Sequence, residues 1–157
     1  RRAGLNVKTV AIGSKIAVGS HKIPVICDME AAEVKEDEIS MVILPGGMPG
    51  SLNLDASSYT DKFIDAALKN GGRLAAICAA PMVLGKRGLL KGKRAICYPG
   101  FEKFLDGARL TNRHVIRDGN VITAKGMGVA LDFRLELVRV MKDGETADRI
   151  KASIFAK

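Results

Sequence analysis

The stretch that decides the fold runs Leu74-Ala75-Ala76-Ile77-Cys78-Ala79-Ala80-Pro81-Met82-Val83-Leu84. Its first half is a short apolar run, which is typical of a strand buried on both faces of a parallel sheet. The small residues and Pro81 that follow predict a turn into a short helix. Cys78 lies at this junction, with alanines two positions before and two positions after it. A sharp strand-to-helix turn leaves no room for bulk, so the pattern indicates a nucleophile elbow.

A reactive role and a structural role are both open for Cys78 on this pattern. The N-terminus of the following helix would favour a thiolate. A cysteine in an apolar strand is equally often a buried packing residue. The other two cysteines, Cys27 and Cys97, are widely spaced and outside any CxxC motif. That usage favours reduced thiols and a cytoplasmic setting.

The flanking sequence alternates predicted strands with predicted helices. Met41-Val42-Ile43-Leu44 predicts a second strand buried on both faces. Tyr59–Lys69 and Val129–Met141 have the apolar spacing of helices. Further strands are predicted over residues 5–11, 16–18, 23–27, 94–97 and 121–123. This alternation predicts a single α/β domain over residues 1–157, with a mainly parallel sheet covered by helices on both faces.

The loops that follow these strands are candidate ligand sites, because an open parallel sheet binds ligands beyond the carboxyl ends of its strands. Gly46 and Gly47 could turn backbone N–H groups toward a developing oxyanion, although paired glycines also form ordinary tight turns. Gly126-Met127-Gly128 lacks the third glycine of a dinucleotide motif. His21 and His114 have no partners at metal-ligand spacing. The sequence therefore predicts neither a cofactor nor a metal.

The charge of the chain makes nucleic acid a candidate partner, since 25 basic and 17 acidic residues give a net charge of +8. Five of the cations crowd residues 86–94, at Lys86, Arg87, Lys91, Lys93 and Arg94. The chain has no Trp and few aromatic residues on which bases could stack, which favours a solvated basic face. No membrane span is predicted, because spanning takes about twenty consecutive apolar residues.

The first residues, Arg1-Arg2-Ala3-Gly4, have the composition of a helix end. Arginine in a last turn complements the helix dipole, and glycine suits the left-handed position just beyond it. A parallel α/β sheet would have a β-α unit before this point. We therefore expect an N-terminally incomplete domain, with an extra strand and helix before Arg1 in the native protein.

Four segments in combination resemble the ThiJ/PfpI family, and within it the branch of the Parkinson-associated protein deglycase. They are Leu44-Pro45-Gly46-Gly47, Ala75-Ala76-Ile77-Cys78-Ala79-Ala80-Pro81, Cys97-Tyr98-Pro99-Gly100 and Asp118-Gly119-Asn120-Val121-Ile122-Thr123. The opening Arg1-Arg2-Ala3-Gly4 matches the same branch. The resemblance implies a flavodoxin-like three-layer sandwich, usually assembled as a homodimer.

The resemblance also implies roles for residues around the elbow. Cys78 corresponds to the reactive cysteine of the family, and Gly46, Gly47 and Ala79 correspond to its backbone N–H donors. Tyr98 lines the site at the position where that branch has a histidine. A tyrosine can donate a hydrogen bond but is a poor base at neutral pH.

Other positions match parts of the family site that lie further from the elbow. Arg2 and Lys22 correspond to basic residues that line a pocket on the dimer side and would bind an anionic group. Cys27 corresponds to a cysteine near the dimer interface. Gly126-Met127-Gly128 replaces a Gly-Pro-Gly turn. The proton-sharing glutamate of the family lies on a first helix, before Arg1.

The function implied by the resemblance is cofactor-independent glyoxalase or deglycase chemistry. Cys78 would form a hemithioacetal with a small reactive carbonyl or a glycated protein. An alternative is an oxidative-stress sensor or redox-regulated chaperone that responds through oxidation of Cys78. Nucleic-acid binding through residues 86–94 is a third hypothesis. A cysteine peptidase is suggested by the family name alone, since no Cys–His pair supports it.

Overall fold

The computed structural model describes residues 1–156. Its strands are β1 (Val10–Ala11), β2 (Ile16–Val18), β3 (Pro24–Ile26), β4 (Met29–Glu30), β5 (Met41–Leu44), β6 (Arg73–Ile77), β7 (Arg94–Ala95), β8 (Arg109–Leu110), β9 (Val115–Asp118) and β10 (Val121–Ala124). Its α-helices are α1 (Gly50–Asp55), α2 (Ser58–Lys69), α3 (Pro81–Lys86), α4 (Ala130–Met141) and α5 (Gly144–Ser153).

The central sheet has the strand order β5-β6-β10-β9. The first three strands are parallel, and β9 joins β10 as an antiparallel edge. Leu44 pairs with Ala76, and Ile77 pairs with Ala124. The carboxyl ends of β5, β6 and β10 therefore meet at one edge of the sheet, and the prediction of a mainly parallel sheet is confirmed.

Helices cover both faces of this sheet, which gives three layers. Because side chains alternate along β6, Leu74 packs with Ile64 of α2 and Leu84 of α3 on one face. On the other face Ile122 of β10 packs with Phe133 of α4. Complete burial of one such side chain stabilises the fold by about 1.5 to 3 kcal/mol. The predicted α/β sandwich is therefore confirmed, and the sheet is its rigid middle layer.

The N-terminal forty residues add two small strand pairs beside the central sheet. Strand β1 pairs in parallel with β4, and β2 and β3 form an antiparallel hairpin. The Asp28 carboxylate accepts hydrogen bonds from the backbone N of Thr9 at 2.7 Å and from its Oγ1 at 2.9 Å, and it pairs with Arg1. Gly4 has φ +72° and donates to the carbonyl of Arg1, as predicted for a left-handed turn residue.

The structure corrects three details of the predicted strands. The apolar run at 41–44 predicts burial on both faces, but Ile43 is 42% exposed, although Met41 on the same face packs against the cluster that includes Phe133 of α4. The strand predicted over residues 94–97 ends at Ala95, where the N–H of Ile96 turns to the side chain of Thr123. The strand predicted over residues 5–11 is limited to its last two residues.

Candidate active site

The backbone of Cys78 has the conformation that a nucleophile elbow requires. Its φ is +65°, a left-handed value that non-glycine residues seldom adopt and that costs about 1 to 3 kcal/mol. The surrounding chain holds it there. The N–H of Cys78 donates to the carbonyl of Ala124 at 2.9 Å, and the carbonyl of Cys78 accepts from Tyr98 N at 2.8 Å. Such strain is typical of functional sites, so a reactive role is the better interpretation of Cys78.

Gly46 brings the loop after β5 directly against this elbow. A methyl group at Gly46 would lie 2.5 Å from Cβ of Cys78 and 2.6 Å from the carbonyl oxygen of Ile77. Both distances are far inside van der Waals contact, so no larger residue fits without movement of the backbone. The loop after β5 and the turn after β6 are therefore packed as one unit.

Three backbone donors at this junction have no partner among residues 1–156. The N–H groups of Gly46, Gly47 and Ala79 donate no hydrogen bond to a backbone or side-chain acceptor there. Ala79 is nevertheless buried and Gly46 is half-buried, whereas Gly47 is exposed. Buried N–H groups are nearly always paired, so unpaired ones beside a strained cysteine are available for a ligand oxygen.

Burial separates Cys78 from the other two thiols. Cys78 is partly exposed, whereas Cys27 and Cys97 are buried. Burial raises the pKa of Cys97 to about 11, and the charges of Glu102 and Cys78 add to the effect. Cys97 is therefore a neutral thiol at physiological pH, and Cys78 is the cysteine that a reagent can reach.

Tyr98 forms one side of the site and is half exposed. Its ring packs on the loop after β10, since a Cβ at Gly126 would lie 3.4 Å from the ring. The ring also meets Phe101 in a T-shaped contact with centroids 6.5 Å apart. Met127, next along the β10 loop, is almost fully exposed. Tyr98 is thus tied to the elbow through its backbone N–H, and its ring lies against the loop after β10.

Comparison with known proteins agrees with this geometry. The family model described as the DJ-1/PfpI family matches residues 1–140. This chain belongs to the DJ-1/PfpI family. The family expected from the motifs around Cys78 is therefore confirmed.

Individual DJ-1/PfpI relatives resemble the chain over most of its length. The protein dj-1beta of Drosophila melanogaster is 33% identical over 99% of this chain and 84% of its own length. Its crystal structure superposes with a TM-score of 0.93 over 99% of this chain and 86% of that chain, at 30% identity. The glutathione-independent glyoxalase DJR-1.2 of Caenorhabditis elegans is 30% identical over 91% of this chain and 76% of its own length. The DJ-1 homolog B of Arabidopsis thaliana is longer: it is 31% identical over the whole chain, which spans 36% of it.

Two further residues of this DJ-1/PfpI chain are assigned to the site by the family resemblance. Arg2 is exposed at the start of the chain, and Lys22 is exposed at the tip of the β2–β3 hairpin with φ +63°. Among the described residues, neither makes a hydrogen bond or ion pair that would connect it to the elbow. Their assignment as anion-binding residues stays a prediction.

No proton acceptor for Cys78 is found among residues 1–156. No carboxylate in that part of the chain hydrogen-bonds to the thiol, and the carboxylate of Glu102 accepts from the N–H of Gly100 at 2.7 Å instead. His21 and His114 are exposed, and His21 contacts Ser20 alone, at 3.3 Å. The same residues contain no group of three His, Cys, Asp or Glu side chains that could hold a metal ion.

The basic stretch 86–94 is largely occupied by internal ion pairs. Lys86 and Arg87 both pair with Asp55, at 2.6 and 2.8 Å. Arg94 pairs with Asp118 at 3.3 Å. Lys91 and Lys93 make no ion pair within residues 1–156, and Lys91 is exposed. Three of the five cations are therefore engaged within the fold, and nucleic-acid binding through this stretch stays a prediction.

Within residues 1–156, every helix is too short or too polar to span a membrane.

Proposed function

We propose that this protein is a cofactor-independent glyoxalase or deglycase that acts on α-oxoaldehydes or on their early adducts with proteins. The observation that carries the proposal is the partly exposed, left-handed Cys78 beside the unpaired N–H groups of Gly46, Gly47 and Ala79. A relative at 30% identity is a glutathione-independent glyoxalase. Family membership supports the same class of reaction.

The reaction begins with attack of the Cys78 thiolate on the aldehyde carbon. A carbon–sulfur bond forms as the carbonyl electron pair moves to oxygen. The N–H groups of Gly47 and Ala79 donate to this oxyanion, and removal of one such donor typically costs about 10²- to 10³-fold in rate. Protonation of the oxygen completes the hemithioacetal.

The second stage moves a proton and regenerates the thiol. Removal of the proton from the former aldehyde carbon leaves its electron pair in a carbon–carbon double bond, and the neighbouring carbonyl oxygen takes up a proton, which gives an enediol. Return of a proton to the second carbon, with loss of the hydroxyl proton of the first, gives the thioester of a 2-hydroxy acid. Water then cleaves the thioester, which releases the acid and the Cys78 thiol. We assign Tyr98 to hydrogen bonding of the substrate during the proton transfer.

A second candidate function is peroxide sensing through the same cysteine. Cys78 is the one thiol of the three that is not buried, so a peroxide should modify it selectively. Oxidation would add one oxygen atom for a sulfenic acid or two for a sulfinic acid. Mass spectrometry of peptides after mild peroxide treatment tests this role, and oxidation spread evenly over all three cysteines would contradict it.

We further propose that two copies associate through the β2–β3 hairpin. Its apolar side chains are 53% to 80% exposed, and the strand register places Ile16, Val18 and Ile26 on one face of the hairpin. The exposed side chains are Ile16, Val18, Ile23, Val25 and Ile26. Light scattering during size-exclusion chromatography tests this, and a monomer at all concentrations would contradict it.

Three unpaired cysteines would suit a reducing, cytoplasmic compartment.

The decisive test of the enzymatic proposal is cofactor-free turnover of methylglyoxal. We expect the native protein to convert it to lactate, Cys78→Ser to lose at least about 100-fold in kcat, and Cys27→Ser to remain active. Retention of turnover in Cys78→Ser would overturn the proposed mechanism.

A further inference from the structure

The guanidinium of Arg87 joins helices α1, α2 and α3. Arg87, which caps the C-terminus of α3, donates from Nε to Asp61 of α2 at 2.7 Å. Its Nη1 donates to the carboxylate of Asp55 and to the carbonyl of Val83, both at 2.8 Å. Its Nη2 donates to the carbonyl of Asp55 at 3.0 Å. Lys86 adds a second cation to Asp55 at 2.6 Å.

This cluster is more shielded than an ordinary surface ion pair. The side chains of Arg87 and Asp55 are 20% and 18% exposed. Burial raises the pKa of Asp55, but the hydrogen bonds from Lys86 and Arg87 outweigh it, so the pKa lies below its ordinary value. The carboxylate is therefore charged at neutral pH, and the planar fork of an arginine holds it in one orientation.

Two of these three helices, α1 and α3, follow the two parts of the site, which are the Gly46-Gly47 loop (the donor loop) and Cys78. Helix α1 ends at Asp55 and follows the donor loop, to which it is tied by the hydrogen bond from Ser51 N to the carbonyl of Gly47 at 2.9 Å. Helix α3 ends beside Arg87 and begins three residues after Cys78. A shift of α1 relative to α3 would move the Gly47 N–H relative to the sulfur.

We infer that the Arg87–Asp55 pair positions the oxyanion donors of the Gly46-Gly47 loop against Cys78, and this inference rests on the proposed function. Arg87 and Asp55 are positioning residues, since neither touches the reacting atoms. Their action is specific to the step in which an oxyanion develops. Displacement by a thiol at a saturated carbon creates no such oxyanion and does not need the donors.

The test compares Arg87→Lys and Asp55→Asn with a matched variant, Arg139→Gln, which breaks the ion pair of Arg139 with Asp148 away from the site. The first readout is amide hydrogen exchange of the peptide covering residues 46–52. We expect the amides of this peptide to exchange at least about fivefold faster in Arg87→Lys and Asp55→Asn, the two clamp variants. Their exchange rate should be unchanged in Arg139→Gln.

The second readout compares two reactions of Cys78 below the melting temperature. For the clamp variants we expect kcat for methylglyoxal to fall about tenfold, while the rate of alkylation by iodoacetamide changes less than about twofold. Equal loss of both rates, or unchanged exchange and turnover, would overturn the inference. If the native protein does not consume methylglyoxal, the proposed function fails, and the exchange experiment alone decides whether the pair orders the donor loop.

Discussion

The elbow region and the N-terminal hairpin are built from similarly apolar sequence but differ in burial. Leu74 and Val83 are fully buried between the sheet and its helices, whereas Ile16, Val18 and Ile26 are largely exposed. The reason is the number of partners, because β6 has a strand on each side and helices on both faces, while the hairpin is an isolated pair of strands. Two-stranded hairpins are marginal alone. The difference shows that equally apolar strands become buried only where neighbouring strands and helices cover them.

The largest effect on the elbow region is expected from Gly46→Ala. The added methyl would overlap Cys78 and the carbonyl of Ile77, so we expect a loss of about 3 kcal/mol or more in the free energy of unfolding, together with loss of Cys78 reactivity. Gly144→Ala is the control, since its nearest neighbour would be 3.9 Å away. Urea denaturation measures both. Equal stability of the two variants would mean that the elbow is not tightly packed.

The three thiols should also differ in reactivity, with Cys78 of the elbow region reacting fastest. At pH 7 we expect iodoacetamide to modify Cys78 at least about 100-fold faster than Cys97, because the pKa of Cys97 is raised to about 11 and its side chain is 2% exposed. Peptide mapping after limited alkylation measures the ratio. Faster modification of Cys27 or Cys97 would show that the elbow does not activate its cysteine.

The Asp55 carboxylate, which pairs with Arg87 and Lys86, should make the free energy of unfolding depend on pH. The pKa of Asp55 in the folded protein is below its ordinary 3.8, so the unfolded chain binds a proton first as the pH falls. Its contribution, about 1 to 3 kcal/mol, is therefore complete above about pH 5 and is lost as the pH falls through the folded pKa. We expect the stability difference between the native protein and Asp55→Asn to shrink below pH 4. A constant difference from pH 7 to pH 3 would contradict the assignment.

The hairpin should give the smallest effect on folding. Val18→Ser replaces an exposed apolar side chain on the face shared with Ile16 and Ile26, so we expect a change within about 0.5 kcal/mol in the free energy of unfolding of the monomer. The same change should weaken self-association, which sedimentation at several concentrations measures. A large loss of stability without any change in association would place the hairpin in the core.

The strands and helices that were predicted correctly are those with strong local patterns. The apolar run at 74–77 and the helical stripe at 129–141 both bury their periodic side chains, so sequence and burial agree. Helix α5 was not predicted, although Asp143 caps it by accepting from Thr146 N at 2.6 Å. Its capping residue was visible, but few of its side chains are buried, and the apolar period that marks a helix is weak there.

The site could be predicted in part, for a comparable reason. Small residues around Cys78 and the glycines after β5 are local signals of tight packing, and the structure packs the two segments against each other, while their roles in the site stay predictions. The Arg87–Asp55 pair joins residues 32 positions apart, and charged residues in a basic stretch carry no local sign of such a partner. The exposure of Ile43 likewise leaves no mark in the apolar pattern of β5.

In the proposed reaction, backbone N–H groups beside Cys78 receive the oxyanion of a carbonyl adduct. The amide proton shifts of Gly47 and Ala79, measured in ¹⁵N-labelled protein when methylglyoxal is added, test this role. We predict downfield shifts of both amides as the Cys78 hemithioacetal forms, and no such shifts in Cys78→Ser. Formation of the adduct, confirmed by mass spectrometry, with both amides unmoved would contradict the account.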